Sequence, residues 1–210
     1  MKRRDFTLGL GAVSLLPGRL LAANELVEGR NFTLVQPPVP VAAAGKGEVI
    51  EFFGYWCPHC NDFEPKLSAW VKKLPASVVF RRVPVAWQPM HIPYQKLYFA
   101  LEALWQLDAL NAKAFYAVHV QGLRLDNDAG LAAFASANGL DRAKLVDAMN
   151  SFSVASKVQA ANKAFAAFGI RGVPALAVNG RFVTSPEIAG GEEGALRVVE
   201  ALLLKPVAAR

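Results

Sequence analysis

Both cysteines of the 210-residue chain lie in the sequence Glu51-Phe52-Phe53-Gly54-Tyr55-Trp56-Cys57-Pro58-His59-Cys60. An apolar run with strand character, 49–56, leads into the pair, and a helix-compatible stretch follows it to Lys73. Cys57 is therefore predicted to lie where a strand ends and a helix begins. The unpaired N–H groups and partial positive charge of a helix N-terminus stabilise a thiolate, so we expect a depressed pKa for Cys57.

The residues around Cys57 favour a redox-active pair. Pro58 suits the first helical turn, because its missing N–H would have no partner there. His59 can place a cationic or hydrogen-bond-donating group beside the sulfur. Cys60 follows about one helical turn later, close enough to form a disulfide with Cys57. We expect Cys57 to be exposed and to exchange with substrate, and Cys60 to be shielded beneath the helix start and to resolve.

Two structural interpretations compete with the redox pair. A structural disulfide at this spacing closes almost no chain and would stabilise the protein little. A zinc site needs about four ligands, and besides the cysteines the chain offers only His59, His91 and His119. We predict that His91 and His119 are surface or hydrogen-bonded core histidines. A c-type haem site is excluded, because Asn61 stands where a histidine must follow the second cysteine.

Two separate motifs resemble those of the DsbA family, the thioredoxin-fold thiol oxidases of the bacterial periplasm. Residues 51–65, EFFGYWCPHCNDFEP, resemble the active-site segment of the family. Residues 171–175, RGVPA, followed by VNG at 178–180, resemble its cis-proline loop and hairpin. The resemblance covers nearly the whole mature chain and implies an α/β protein, a thioredoxin fold with an inserted all-helical domain.

The resemblance also implies roles for individual residues. The bond between Val173 and Pro174 is expected to be cis, with Pro174 against the active-site disulfide and the Val173 backbone offered to an extended substrate. Glu51 is expected to lie buried near Cys60 and to accept its proton, although an outward-facing Glu51 is the alternative. Arg82 is either an ion partner for Glu51 or an exposed arginine.

The remaining elements follow from periodicity and turn residues. Thioredoxin-like segments are predicted at 24–88 and 168–210, and a helical insertion at 89–167 with four or five helices. A type I′ hairpin is predicted around Asn179-Gly180, and a kink in the first helix near residues 61–64, caused by Pro65. The other expectations are strands at 31–35, 48–55, 77–85, 175–178 and 181–184, a last helix at 192–204, helix starts at Asp126 and Asp141, a helix end at Gly139, and core positions for Trp105, Phe115 and Phe134.

The N-terminus is typical of a cleavable signal peptide at 1–23. The basic residues Lys2-Arg3-Arg4 precede an apolar run at 6–16 and the small residues Ala22-Ala23. This pattern predicts export to the periplasm through the Sec or the twin-arginine route. The formal charge of +6 belongs partly to this segment and is too scattered to predict nucleic-acid binding.

Disulfide donation is the predicted activity. The Cys57–Cys60 disulfide would be given to unfolded exported proteins with free thiols, and the resemblance to the DsbA family implies a quinone-linked membrane oxidase of the DsbB type as the partner that restores it. We expect a monomer with no cofactor beyond this disulfide and no metal. A disulfide isomerase or reductant is one alternative, although no separate dimerisation domain is visible between Ala23 and the thioredoxin core. A non-catalytic periplasmic chaperone is the other.

Overall fold

The computed structural model describes residues 26–41 and 45–205. The predicted signal peptide at 1–23 and its cleavage site lie outside these residues. Within them, no helix combines the length and the apolar character needed to cross a membrane.

A five-stranded mixed sheet forms the centre of the described chain. Its order is β1-β5-β4-β2-β3, with β2 and β3 parallel and the other neighbours antiparallel. Every residue of β2 after Gly47 is buried, as expected for a strand with neighbours on both sides. The strands are β1 (Thr33–Leu34), β2 (Gly47–Phe53), β3 (Val78–Pro84), β4 (Ala175–Val178) and β5 (Phe182–Thr184).

Seven α-helices surround the sheet in the described residues. Five of them, α2 to α6, fall within 92–167, which confirms the predicted helical block between the third and fourth strands. A short 3₁₀ turn, Pro89–His91, precedes them. Helix α1 continues through Pro65 as one 14-residue element, and the predicted kink there stays a prediction. The helices are α1 (Pro58–Val71), α2 (Ile92–Ala103), α3 (Leu107–His119), α4 (Asp128–Ala137), α5 (Arg142–Met149), α6 (Phe152–Ala167) and α7 (Glu192–Leu203).

The hairpin between β4 and β5 has the predicted turn. Asn179 and Gly180 both have positive φ, 52° and 68°, as a type I′ turn requires. A Cβ at Gly180 would collide with the carbonyl oxygen of Val39, so close packing also demands glycine there. This turn pairs β5 with β4, and β4 pairs on its other side with β2.

One predicted helix start is wrong. The side chain of Asp126 is paired with Arg124 at 2.7 Å instead of capping a helix. The neighbouring Asn127 caps α4, since its side-chain oxygen accepts the N–H of Gly130 at 2.9 Å. Asp141 caps α5, and Gly139 follows the end of α4 with a φ of 66°, both as predicted.

One predicted core residue is also wrong. Phe115 and Phe134 are buried, but Trp105 is 93% exposed. The prediction rests on Trp105 being an aromatic residue of the helical block, where the three- and four-residue spacing of residues 99–107 favours a continuous helix. The structure ends α2 at Ala103, and Trp105 adopts a φ of 58° in the connection to α3, which turns its side chain away from the core.

Candidate active site

Cys57 occupies the N-cap position of α1, four residues after the end of β2. Its backbone is extended, with φ −90° and ψ 119°, and Pro58 occupies the first helical turn. The N–H of Cys57 donates to the carbonyl of Gly54 at 3.0 Å, which tightens the connection. The predicted position of Cys57 between strand and helix is confirmed, and the free N–H groups of the first turn point toward its side chain.

Cys57 is nevertheless not exposed, contrary to the prediction. Both cysteines are free thiols, 4% exposed at Cys57 and fully buried at Cys60. The loop before β4 covers Cys57. In its protonated form the Cys57 thiol donates to the carbonyl oxygen of Val173 at 3.3 Å. A substrate therefore has to reach the sulfur alongside this loop.

The two thiols have pKa values that diverge strongly. A hydrogen bond from the Cys60 thiol, with further bonds from the backbone N–H groups of Cys60 and His59, lowers the pKa of Cys57 to about 6 against the effect of burial. The charge of His59 makes the smallest contribution. Burial raises the pKa of Cys60, and the hydrogen bond to Cys57 adds to this. Cys57 is the thiolate of the pair at neutral pH, while Cys60 keeps its proton.

The loop of residues 171–174 holds a cis peptide bond between Val173 and Pro174. Pro174 is buried and Val173 partly buried, while Arg171 and Gly172 face solvent. A second cis bond, Gln36–Pro37, lies in the loop after β1, and no sequence pattern used above signalled it.

A groove of about 740 Å³ opens beside this loop. His59, which is exposed, contributes to its edge from the first turn of α1. The groove is lined by Thr33, His59, residues 169–175, residues 183–188 and Glu192. Its position next to the Val173 carbonyl offers room for an extended peptide close to Cys57.

Glu51 lies in the middle of β2 with no exposed surface, so the structure excludes the outward-facing alternative. The Nε of Arg82 donates to one carboxylate oxygen of Glu51 at 2.7 Å, and the other oxygen is buried without a partner among the described residues. Burial raises the pKa of Glu51 to about 7, with Arg82 opposing and Glu64 reinforcing the rise. The charge of Glu51 in turn adds to the raised pKa of Cys60.

Glu64, which the sequence reasoning missed, shares the same arginine. Arg82 also donates to Glu64, at 2.9 and 3.1 Å, so one cation faces two buried carboxylates. Glu64 further accepts hydrogen bonds from Ser68 at 2.6 Å and Asn111 at 2.9 Å, and Asn111 accepts one from Tyr55 at 2.8 Å. A signal was available, because Glu64 lies four residues after Cys60 on one helix face and so beneath the site.

The two remaining histidines differ from each other. His119 is bonded through Nε2 to the carbonyl of Tyr55 at 2.8 Å, in agreement with a hydrogen-bonded core histidine. His91 fits neither predicted class, because its ring is partly buried against Trp56 and its Nδ1 has no partner among the described residues. Across residues 26–41 and 45–205, no group of three or more His, Cys, Asp or Glu side chains is arranged to hold a metal ion.

Comparison with known proteins agrees with this geometry. Residues 92–192 match the family described as DSBA-like thioredoxin domain. The thiol:disulfide interchange protein DsbA of Bordetella parapertussis is 40% identical over 207 residues, which are 98% of this chain and 99% of that protein. The corresponding DsbA of Azotobacter vinelandii is 37% identical over 198 residues, 94% of this chain and 90% of that protein.

Solved structures give the same result for the fold. The crystal structure of Pseudomonas aeruginosa DsbA is 32% identical, with a TM-score of 0.81 over 86% of this chain and 94% of that one. The oxidoreductase DsbA from Xylella fastidiosa is 30% identical, with a TM-score of 0.78. The match covers 85% of this chain and 96% of that chain. The α/β thioredoxin fold with its helical insertion, the thiolate-stabilising helix start and the full-length relatives lead to one assignment. The chain belongs to the DsbA family of thiol:disulfide interchange proteins, which are oxidoreductases.

Proposed function

We propose that the chain donates a Cys57–Cys60 disulfide to newly exported proteins that carry free thiols, and so assists their oxidative folding. The observation that carries this proposal is the contrast within the pair. Cys57 has its pKa lowered to about 6 at the start of α1, while Cys60 is buried with a raised pKa. A sulfur that is stable as a thiolate is a good leaving group, so the reduced protein is favoured and the disulfide is oxidising.

The exchange takes place in two displacements. A substrate thiolate attacks the sulfur of Cys57, the Cys57–Cys60 bond breaks, and Cys60 leaves with the electron pair and takes up a proton. A second substrate thiolate then attacks the substrate sulfur of the mixed disulfide and releases Cys57 as a thiolate. The substrate loses two electrons and gains a disulfide, and the protein is left as the dithiol.

Glu51 has the properties of a proton carrier for Cys60. Its pKa of about 7 means that both protonation states are populated near neutral pH. Arg82 holds one of its oxygens, and the other is free of partners among the described residues. In this proposal the protonated carboxyl supplies the proton that Cys60 needs when it leaves, and the carboxylate takes it back on re-oxidation.

Val173 and Pro174 are proposed to bind the substrate chain. The carbonyl of Val173 lies 3.3 Å from the Cys57 sulfur, so a peptide seated in the adjacent groove would present its cysteine to Cys57. Extended peptides gain affinity from backbone hydrogen bonds and specificity from neighbouring pockets. Pro58 and His59 complete the site, as the first residues of α1 and the edge of the groove.

The cellular setting is part of the same proposal. The N-terminal segment 1–23 supports export to the periplasm, where a DsbB-like, quinone-linked membrane oxidase would return the dithiol to the disulfide. We propose that the protein acts as a monomer without metal, with thioredoxin-like segments at 24–88 and 168–210 and a helical insertion at 89–167. The position of α2 to α6 within 92–167 supports these boundaries.

The test uses protein that begins at Asn24, oxidised and mixed with a reduced peptide that contains two cysteines. Disulfide formation in the peptide should proceed with stoichiometric reduction of the protein, and Cys57→Ser should abolish it. Cys60→Ser, mixed instead with oxidised glutathione, should keep a mixed disulfide between Cys57 and glutathione and release one glutathione thiol, because no second protein thiol remains to displace it. The equilibrium with glutathione then separates an oxidant from an isomerase or reductant. Peptide oxidation that survives Cys57→Ser, or a potential as reducing as that of thioredoxin, about −270 mV, would overturn the proposal.

A further inference from the structure

The side chain of Trp56, directly before Cys57, is held from three directions. Its indole Nε1 donates to the carbonyl of Val85 at 3.2 Å. Its ring lies so close over Gly54 that a Cβ there would meet the indole nitrogen at 2.5 Å. The imidazole of His91 stacks on the ring, with 3.9 Å between the centroids and 9° between the planes.

His91 comes from a different part of the chain, the 3₁₀ turn Pro89–His91 that precedes α2. Its buried Nδ1 has no hydrogen-bond partner among the described residues, so the stack is the contact that explains its place. Trp87 approaches the same indole edge-on at 5.7 Å and reaches Phe165 of α6 at 6.4 Å. The imidazole of His91 thus belongs to an aromatic cluster with Trp56, Trp87 and Phe165. Within this cluster, Trp56 is joined to Cys57 by a peptide bond.

We propose that His91 is a positioning residue for the exchange reaction: its ring fixes the Trp56 indole and, through it, the Cys57 sulfur. The proposal rests on the proposed role of Cys57 as the exchanging sulfur. The connection between β2 and α1 contains only residues 54–57, with Cys57 as the last of them, and the N–H of Cys57 donates to the carbonyl of Gly54 at 3.0 Å. A shift of the Trp56 indole therefore also moves the backbone of Cys57, and with it the Cys57 sulfur.

The position of the sulfur matters because its stabilisation is directional. The thiolate is stabilised by the Cys60 thiol and by the N–H groups of His59 and Cys60. Hydrogen bonds weaken steeply as they lengthen or bend. If the indole loses the face contact with His91, the sulfur samples poorer geometry, the thiolate becomes less stable, and the reduced protein is less favoured. The protein should then be a weaker oxidant.

Stacking requires a flat ring rather than a charge. The buried Nδ1 without a partner disfavours the imidazolium form, so the neutral ring is the form that packs on Trp56. Phenylalanine at position 91 keeps a flat ring of similar size, whereas alanine removes it. Met90 provides a matched control, since it belongs to the same turn and is 54% exposed.

The experiment compares the wild type with His91→Ala, His91→Phe and Met90→Ala. The pKa of Cys57 is measured from thiolate absorbance, and the equilibrium constant with glutathione is measured at neutral pH. His91→Ala should raise the pKa of Cys57 and shift the equilibrium toward the disulfide form by up to about tenfold, the usual scale of one aromatic contact, which corresponds to about 30 mV. His91→Phe and Met90→Ala should match the wild type.

Three outcomes would overturn the proposal. His91→Ala could match the wild type in both measurements, in which case the stack does not position the sulfur. His91→Phe could shift as far as His91→Ala, which would assign the effect to imidazole chemistry. Met90→Ala could shift equally, which would point to general loosening of the turn, visible also as a lower Tm. Failure of the proposed function is distinguishable, because the wild type itself would then not oxidise the two-cysteine peptide, or would have a potential as reducing as that of thioredoxin, about −270 mV.

Discussion

Glu51→Gln changes a buried carboxylate that shares one arginine with a second carboxylate. Arg82 lies 2.7 Å from Glu51 and 2.9 Å from Glu64, so the cluster carries one excess negative charge when both acids are ionised. Burying charge without full compensation is unfavourable. Glutamine keeps an oxygen that can accept from Arg82, and it leaves the cluster neutral.

The magnitude follows from the pKa of Glu51, which rises from an ordinary 4.5 to about 7 in the folded protein. A raised folded-state pKa means that the folded protein holds the proton more tightly than the unfolded chain. The resulting stability is fully present below about pH 4.5 and is lost as the pH rises through about 7. A difference of about 2.5 pKa units corresponds to about 3 kcal/mol.

Glutamine does not titrate, so this loss is absent in the variant. The free energy of unfolding of Glu51→Gln, relative to the wild type, should therefore increase by about 3 kcal/mol between pH 4.5 and pH 8.5. The glutamine amide, with its buried NH₂ group, also changes the free energy of unfolding, but by an amount that does not depend on pH. This amount therefore cancels when the difference from the wild type is compared between two pH values. The titration of Cys57 is common to both proteins and cancels as well.

Urea unfolding of the reduced proteins, followed by circular dichroism at several pH values, measures this difference. Glu102→Gln is the matched control, because Glu102 forms an exposed ion pair with Lys157 and its substitution should give a difference that changes little with pH. A Glu51→Gln difference that is constant across the range, or that falls with rising pH, would refute the reasoning. Glu51 would then be ionised throughout, and its role as a proton carrier for Cys60 would lose its basis.

Three further predictions concern the first turn of α1 and one helix cap. Cys60→Ala should raise the pKa of Cys57 from about 6 to between about 7 and about 8, since it removes the largest stabilising hydrogen bond. Cys60→Ser keeps a hydrogen-bond donor and should raise this pKa less. Thiolate absorbance against pH measures both values, and equal values in the two variants would contradict the prediction. His59→Ser should raise the pKa of Cys57 by less than Cys60→Ala, because the charge of His59 contributes least, as iodoacetamide rates against pH would reveal. Asp141→Ala should lower the free energy of unfolding by about 1 kcal/mol, because it removes the 3.1 Å bond to the N–H of Lys144; urea unfolding without such a loss would show that water replaces the cap.

Much of the fold could be predicted because its signals are local. The apolar run of β2, the proline in the first turn of α1 and the Asn179-Gly180 turn each depend on neighbouring residues, and each is found as predicted. The error at Trp105 has the same origin. The spacing of residues 99–107 favours one helix. The chain instead ends α2 at Ala103 and adopts a positive φ at Trp105 before α3 begins at Leu107.

The redox chemistry of this protein follows from its local sequence. Two cysteines at a predicted helix start, with proline and histidine between them, are sufficient to indicate a stabilised thiolate, because the stabilising N–H groups belong to the same turn. Family resemblance extended this to the cis bond before Pro174, which residue patterns alone do not reveal. The first conclusion depends on residues that are neighbours in the sequence, and the second depends on a short motif shared within a family.

The groups that surround the cysteines come from distant segments and are known only from the folded chain. Val173 covers Cys57 from 116 residues away, and Asn111 reaches Glu64 across 47 residues. Burial and the pairing of charges depend on atoms that folding brings together from distant segments, and no local pattern specifies them. Whether Glu51 was exposed or buried was therefore open until β2 was seen between its neighbours, where desolvation raises its pKa to about 7 and makes it a candidate proton carrier.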